Sequence, residues 1–161
     1  MIETLVIIMG VSACGKSTVA SRVAADLGWP FIEGDNHHPA SNVAKMQSGQ
    51  PLTDDDRTAW LDSILAEIAR TDGPGLVLAC SALTPYVQST LRKADAASIR
   101  WIWLDLTQEE ALQRMSQRDH FMPPALMASQ FEALSPPDEA ERFHATDPVE
   151  SLVENICRTL V

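Results

Sequence analysis

The eight residues Gly10-Val11-Ser12-Ala13-Cys14-Gly15-Lys16-Ser17 constrain this chain more than any other stretch. Directly before them, Leu5 to Met9 form a continuous apolar run, the pattern of a strand buried on both faces of a parallel sheet. Directly after, Ser17 to Leu27 reads as a helix with Val19, Ala20, Val23, Ala24 and Leu27 on one face, stopped by Gly28. A glycine-bounded loop between a buried strand and a helix is the geometry that phosphate binding requires. Successive backbone N–H groups wrap the anion, and the helix N-terminus adds partial positive charge. Lys16 then reaches the β- and γ-phosphates of ATP, and the Ser17 hydroxyl is placed to ligate Mg²⁺. Gly10, Ser12, Ala13, Cys14, Gly15, Lys16, Ser17 and Thr18 are the candidate ATP-binding residues of this loop.

The rest of the chain alternates strands and helices. Phe31-Ile32 is a short second strand. Thr53 to Ala69 is a helix, with Thr53 as cap, Asp56 at its third position, and Trp60, Leu61, Ile64, Leu65 and Ile68 as its apolar stripe. Asp72-Gly73-Pro74-Gly75 turns into a third strand, Leu76 to Cys80, and Trp101 to Leu104 is a fourth. Thr107 with Glu110 repeats the capping pattern for a helix reaching about Arg118, and Pro123-Pro124 opens another that contains Gln130. A fifth strand near Phe143 to Ala145 precedes a last helix capped by Asp147. The expected fold is α/β: a five-stranded parallel sheet flanked by helices on both faces, in one domain over residues 1–161. Ligands of such sheets sit beyond the carboxyl ends of the strands.

Composition narrows the partners. With 12 Lys and Arg against 22 Asp and Glu, the formal net charge is -10, which leaves no basic field for nucleic acid. An anionic substrate must be held by a few local cations against that background. Cys14, Cys80 and Cys157 lack metal or disulfide spacing, and no apolar run has the length of a membrane span, so a cytoplasmic protein is expected.

Past the second strand, Gly34-Asp35-Asn36-His37-His38-Pro39 offers a carboxylate that could take the proton of an attacking hydroxyl or orient Mg²⁺. The acidic run Asp54-Asp55-Asp56 complements a helix dipole, but Arg57 opposes it. A guanidinium tolerated there fits a carboxylate-bearing substrate, which arginine binds bidentately.

These segments resemble the gluconokinase family, P-loop enzymes that phosphorylate D-gluconate to 6-phospho-D-gluconate with ATP and Mg²⁺. The resemblance rests on the phosphate loop, on Gly34-Asp35 with His37-His38-Pro39, and on Asn42, Lys45-Met46, Gly49 and Pro51-Leu52. It continues through Asp54, Asp56-Arg57, Trp60-Leu61 and Cys80-Ser81-Ala82-Leu83 to Arg114, Arg118, His120-Phe121-Met122-Pro123 and Ser129-Gln130-Phe131. These occur in the family's order over about residues 5 to 137. The resemblance implies a P-loop kinase fold with a helical lid over about residues 114–134. It implies Asp35 at the catalytic centre beside Lys16, Lys45 and Arg57 on the sugar acid, and His38 and Gln130 shaping that pocket. In the lid, Arg118 would stabilise transition-state charge and Arg114 would pack on the nucleotide. Family members are often dimers, so the resemblance makes a homodimer a candidate assembly, while the sequence itself does not set the oligomeric state.

Two departures from the family pattern matter. Ala13 replaces a glycine of the loop, so the backbone there keeps a negative φ or carries strain. Thr84-Pro85-Tyr86-Val87-Gln88 stands where the family has a lysine and a Tyr-Arg pair, which removes two positive charges. A related sugar acid, a small polyol, or a nucleotide-binding regulatory role without transfer therefore remain alternatives. Asp105 mimics a metal-orienting aspartate, but that residue is expected to end the strand beside the loop strand, read as Leu76 to Cys80.

Overall fold

The apolar run before the phosphate loop is the centre of the molecule. In the computed structural model, which describes residues 1–117 and 123–161, β1 (Ile2–Met9) is the middle strand of a five-stranded parallel sheet. With β2 (Phe31–Glu33), β3 (Gly73–Ala79), β4 (Ala96–Asp105) and β5 (Glu141–His144), the order is β2-β3-β1-β4-β5. Leu5↔Leu76 and Leu5↔Ile99 pair β1 with both neighbours in register.

Alternation along β1 explains why no polar residue interrupts it from Leu5 to Met9, whereas Glu3 near its start is exposed and Thr4 half-buried. Val6 and Ile8 face one core layer, where they meet α1 (Lys16–Leu27) and α7 (Val149–Leu160) through Val19, Val23, Leu152 and Ile156. Leu5, Ile7 and Met9 face the other, against Trp60, Leu61 and Ile64 of α3 (Asp54–Ala69) and Val87 and Leu91 of α4 (Pro85–Leu91). A strand covered on both faces has no solvent side to make polar.

The α3 start is as the sequence predicts: the Thr53 side chain accepts from Asp56 N–H, and the Asp56 carboxylate accepts from Thr53 N–H. Thr107 and Glu110 repeat that box on α5 (Gln108–Ser116). The last helix differs by one residue from expectation, since Pro148 takes the cap position and no side chain caps it. Two helices carry no sequence signal strong enough to read: α2 (Ala40–Gln47), which buries only Asn42, and α4. The remaining helix, α6, spans Pro124–Ala133. Among the described residues no helix is long and apolar enough to cross a membrane.

Gly75 marks where sheet and connection touch. A Cβ there would lie 2.3 Å from the Trp29 ring, which lies between α1 and β2. Gly75→Ala should therefore destabilise the protein by about 2 kcal/mol through overpacking, read as a lower urea midpoint at unchanged slope.

Candidate functional site

Beyond the carboxyl end of β1 the chain turns sharply. Gly15, at φ 87°, caps α1, and Ala13 adopts φ 71°. Alanine thus holds the left-handed conformation, the strained one of the two options open to it from sequence. Two contacts hold it in place. Arg114 of α5 donates from Nη1 to the Ala13 carbonyl at 2.9 Å and from Nη2 to the Ala145 carbonyl at 2.6 Å. On the neighbouring residue, Gln130 of α6 accepts from Ser12 N–H at 2.7 Å and donates to Ser12 Oγ at 3.1 Å. Gly10 N–H donates to the Ser81 carbonyl, which joins the loop to the segment after β3.

Two cavities open on this loop. The first, of about 550 Å³, is lined by Ser12, Ala13, Gly15, Lys16, Ser17 and Thr18 with Asp35. The second, of about 570 Å³, is lined by His38, Arg57, Trp60, Ser81, Thr84 and Gln130, and shares Ser12, Lys16 and Asp35 with the first. Lys16 and Asp35 therefore sit at the junction, which lies past the ends of β1 and β2. A third cavity of about 350 Å³, on the other side of Gly15 and Thr18, is lined by Cys14, Arg114, Ala145 and Asp147.

The wall of the second cavity is built on a short 3₁₀ turn, Gly34–His37, and on the helices after it. Trp60 donates from Nε1 to the Gly34 carbonyl at 2.8 Å, and the His38 ring stacks on Trp60 with centroids 4.3 Å apart. Burial pushes the His38 imidazole below its ordinary pKa; Asp35 opposes that shift, while Arg57 and His37 add to it. Arg57 is held by Asp54, Nη1 to Oδ1 at 3.0 Å, and its side chain is 21% exposed. Lys45 is the exception among the expected contacts: its Nζ lies 2.6 Å from Asp56 Oδ2, and it lines neither of the first two cavities. Its hydrogen bond, with those from Thr53, holds the Asp56 carboxyl down from the ordinary 3.8 to about 2.

Asp105 ends β4, which also borders β1, but it pairs with Arg142 at 2.6 Å and lines none of these cavities. Cys80, just past β3, is fully buried and its thiol is pushed up to about 12, which keeps it protonated and inert. Arg118 and His120 lie outside the described residues. Trp60, Ser81 and Thr84 line the second cavity although the sequence does not mark them as site residues. In the sequence Trp60 belongs to an apolar stripe, Trp60 and Ser81 fall in family-like segments and Thr84 in a departure from them, but no local signal marks any of the three as facing a ligand.

For a divalent cation, no group of three His, Cys, Asp or Glu side chains converges among the described residues. A Mg²⁺ ion beside bound phosphates keeps several waters and takes phosphate oxygens plus one or two protein oxygens. The Ser17 hydroxyl and Asp35 carboxylate, both lining the first cavity, are such oxygens.

Two measurements follow from this geometry. Ala13→Gly should stabilise the protein by roughly 0.5–1 kcal/mol in urea denaturation, because relief of the left-handed strain exceeds the added unfolded-state entropy. The Asp56 pair stabilises the fold above the ordinary carboxylate range, and that contribution is lost as pH falls from about 3.8 through about 2. In Lys45→Met, carboxyl NMR titration should find Asp56 closer to 3.8.

Comparison with known proteins agrees with this geometry. An AAA domain model matches residues 5–137. The chain is 42% identical over 140 residues to the thermosensitive gluconokinase of Escherichia coli K12, covering 84% of this chain and 74% of the relative. It is 44% identical over 139 residues to the gluconokinase of Gluconobacter oxydans 621H, covering 84% and 77%. The crystal structure of a gluconokinase from Sinorhizobium meliloti 1021 superposes with a TM-score of 0.83 at 33% identity, covering 98% and 95%. With its phosphate loop, paired cavities and these relatives, the chain belongs to the gluconokinase family.

Proposed function

We propose that this protein transfers the γ-phosphoryl group of ATP to the 6-hydroxyl of D-gluconate, giving 6-phospho-D-gluconate and ADP. The observation that carries the reading is the junction at Lys16 and Asp35, where a phosphate-loop cavity and the cavity bearing Arg57 meet. A phosphoryl group moving in line between two oxygens needs its donor and acceptor in adjoining spaces.

In this reading the loop amides and Lys16 hold the β- and γ-phosphates in the first cavity. Arg57, oriented by Asp54, takes the gluconate carboxylate in the second. The 6-hydroxyl oxygen attacks the γ-phosphorus as the bond to the bridging oxygen breaks, and the hydroxyl proton passes to Asp35. The Ser17 hydroxyl would hold Mg²⁺, which when bound offsets the charge gathering on the phosphate oxygens, and this leaves the Asp35 carboxylate to accept the proton. Arg114, on the third cavity, would pack against the nucleotide base, and Gln130 would border both substrates. Arg118, outside the described residues, would stabilise transition-state charge in the lid of about residues 114–134 that the family resemblance implies. Lys45 would act through Asp56, holding the start of α3 and so the place of Arg57, instead of touching the acid. Free cysteines, two of them buried, and the net charge of -10 support a reducing, cytoplasmic setting without nucleic-acid partners.

The cationic residues lining the second cavity are Lys16 and Arg57 among the described residues, which suits an acceptor with a single carboxylate, such as gluconate or a related sugar acid. ADP release should be measured with Mg-ATP and a panel of sugar acids, polyols and nucleoside monophosphates. Turnover on gluconate is expected; turnover on another sugar acid alone would replace the acceptor, and ATP binding without turnover would leave a regulatory protein. Lys16→Ala should abolish transfer. Arg57→Ala should raise KM for gluconate by roughly 100-fold, the scale of a lost charge-assisted bond, with KM for ATP little changed. Equal effects on both substrates would remove Arg57 from the acid site.

A further inference from the structure

His38 lines the acceptor cavity with both its plane and one ring nitrogen already committed to the protein. The ring lies on Trp60 at an interplanar angle of 12°, and Trp60 is itself anchored to the Gly34 carbonyl. Nδ1 faces Asn42, a residue only 3% exposed on α2. The orientation of that amide follows from chemistry. Asn42 reaches the backbone carbonyl of Asp56 at 2.8 Å, and a carbonyl only accepts, so the NH₂ end must point there. The same nitrogen lies 3.3 Å from His38 Nδ1. An amide NH₂ only donates, so Nδ1 must offer its lone pair. A neutral imidazole with a lone pair on Nδ1 carries its proton on Nε2. Among the described residues Nε2 has no protein partner, and it is the ring nitrogen left for the cavity.

We propose that His38 presents Nε2–H to the acceptor as a neutral hydrogen-bond donor, and that Asn42 is the positioning residue that sets this tautomer through its bond to the Asp56 carbonyl. The proposal deepens the sugar-acid reading, on which the identity of the bound oxygen rests. A ring nitrogen that already holds a proton cannot take one from the attacking hydroxyl. His38 therefore recognises an oxygen lone pair of the polyol acid, and the proton-accepting task stays with Asp35. An imidazolium would need a proton on Nδ1, pointed at the Asn42 NH₂ with no acceptor between them. The burial and the Arg57 charge that depress the His38 pKa act in the same direction as this arrangement.

Side-chain ¹⁵N NMR on uniformly labelled wild-type protein near neutral pH tests the tautomer without substrate. His38 signals are identified by their loss in His38→Gln. The expected result is the neutral Nε2–H pattern in wild type, and an increased Nδ1–H population in Asn42→Ala. An Nδ1–H or imidazolium pattern in wild type would overturn the proposal, as would an unchanged tautomer in a folded Asn42→Ala. Kinetics test the donor. His38→Gln, which keeps an N–H near the Nε2 position, should stay within about threefold of the wild-type KM for gluconate, whereas His38→Leu should raise it roughly tenfold, with KM for ATP unchanged in both. Equal losses in the two variants would remove the donor role. Should wild-type protein turn over another sugar acid instead of gluconate, the same comparison applies to that acid, and the tautomer measured by NMR is unaffected.

Discussion

Double-sided burial of β1 is the constraint on which the rest of this molecule depends. Leu5 to Met9 are wholly removed from solvent and send alternate side chains into two separate core layers. At roughly 1.5–3 kcal/mol for each large aliphatic side chain buried, a polar replacement anywhere from Leu5 to Met9 would forfeit packing on one layer or the other. The strand must therefore end abruptly where it meets solvent, and the turn it makes there is the phosphate loop. α1, packed on one face of the sheet, begins at that turn and aims its N-terminal amides across it.

The loop is not self-supporting. Ala13 sits in a backbone region disfavoured for any residue with a Cβ, at a cost of about 1–2 kcal/mol, and it is retained because neighbours over-determine it. Those neighbours arrive from far along the chain: Arg114 from α5, and Gln130 from α6 one residue away on Ser12. Arg114 also reaches the carbonyl that follows β5, so the loop, α5 and the last strand meet at one guanidinium.

How much of this is legible from sequence depends on whether the signal is local. β1, α1, and the two boxed helix starts at Thr53 and Thr107 follow from residues a few positions apart, and each stands where the pattern puts it. α2 escapes because it has almost no buried face, and α4 because seven residues are too few to establish a period. In the site, the phosphate loop is legible from its glycine spacing between a strand and a helix, Arg57 as a cation set against a helix dipole, and Asp35 chiefly through the family resemblance of its segment. The partner of Lys45 is not, since Asp56 lies 11 positions on and already has a local role in a capping box. For Asp105, strand pairing decides what sequence order cannot. The sheet makes β4 a neighbour of β1, as β3 is, and it is the ion pair with Arg142 that occupies the carboxylate.

Gln130 belongs to both halves of the site: it is bonded twice to Ser12 in the loop and lines the cavity that holds Arg57 and His38. Two binding equilibria that share one side chain are not independent. A ligand in either cavity that shifts this amide changes what the other ligand meets, and the free energy of that coupling has the same size in both directions. Synergy between donor and acceptor affinities is thus a property that a single glutamine is placed to set.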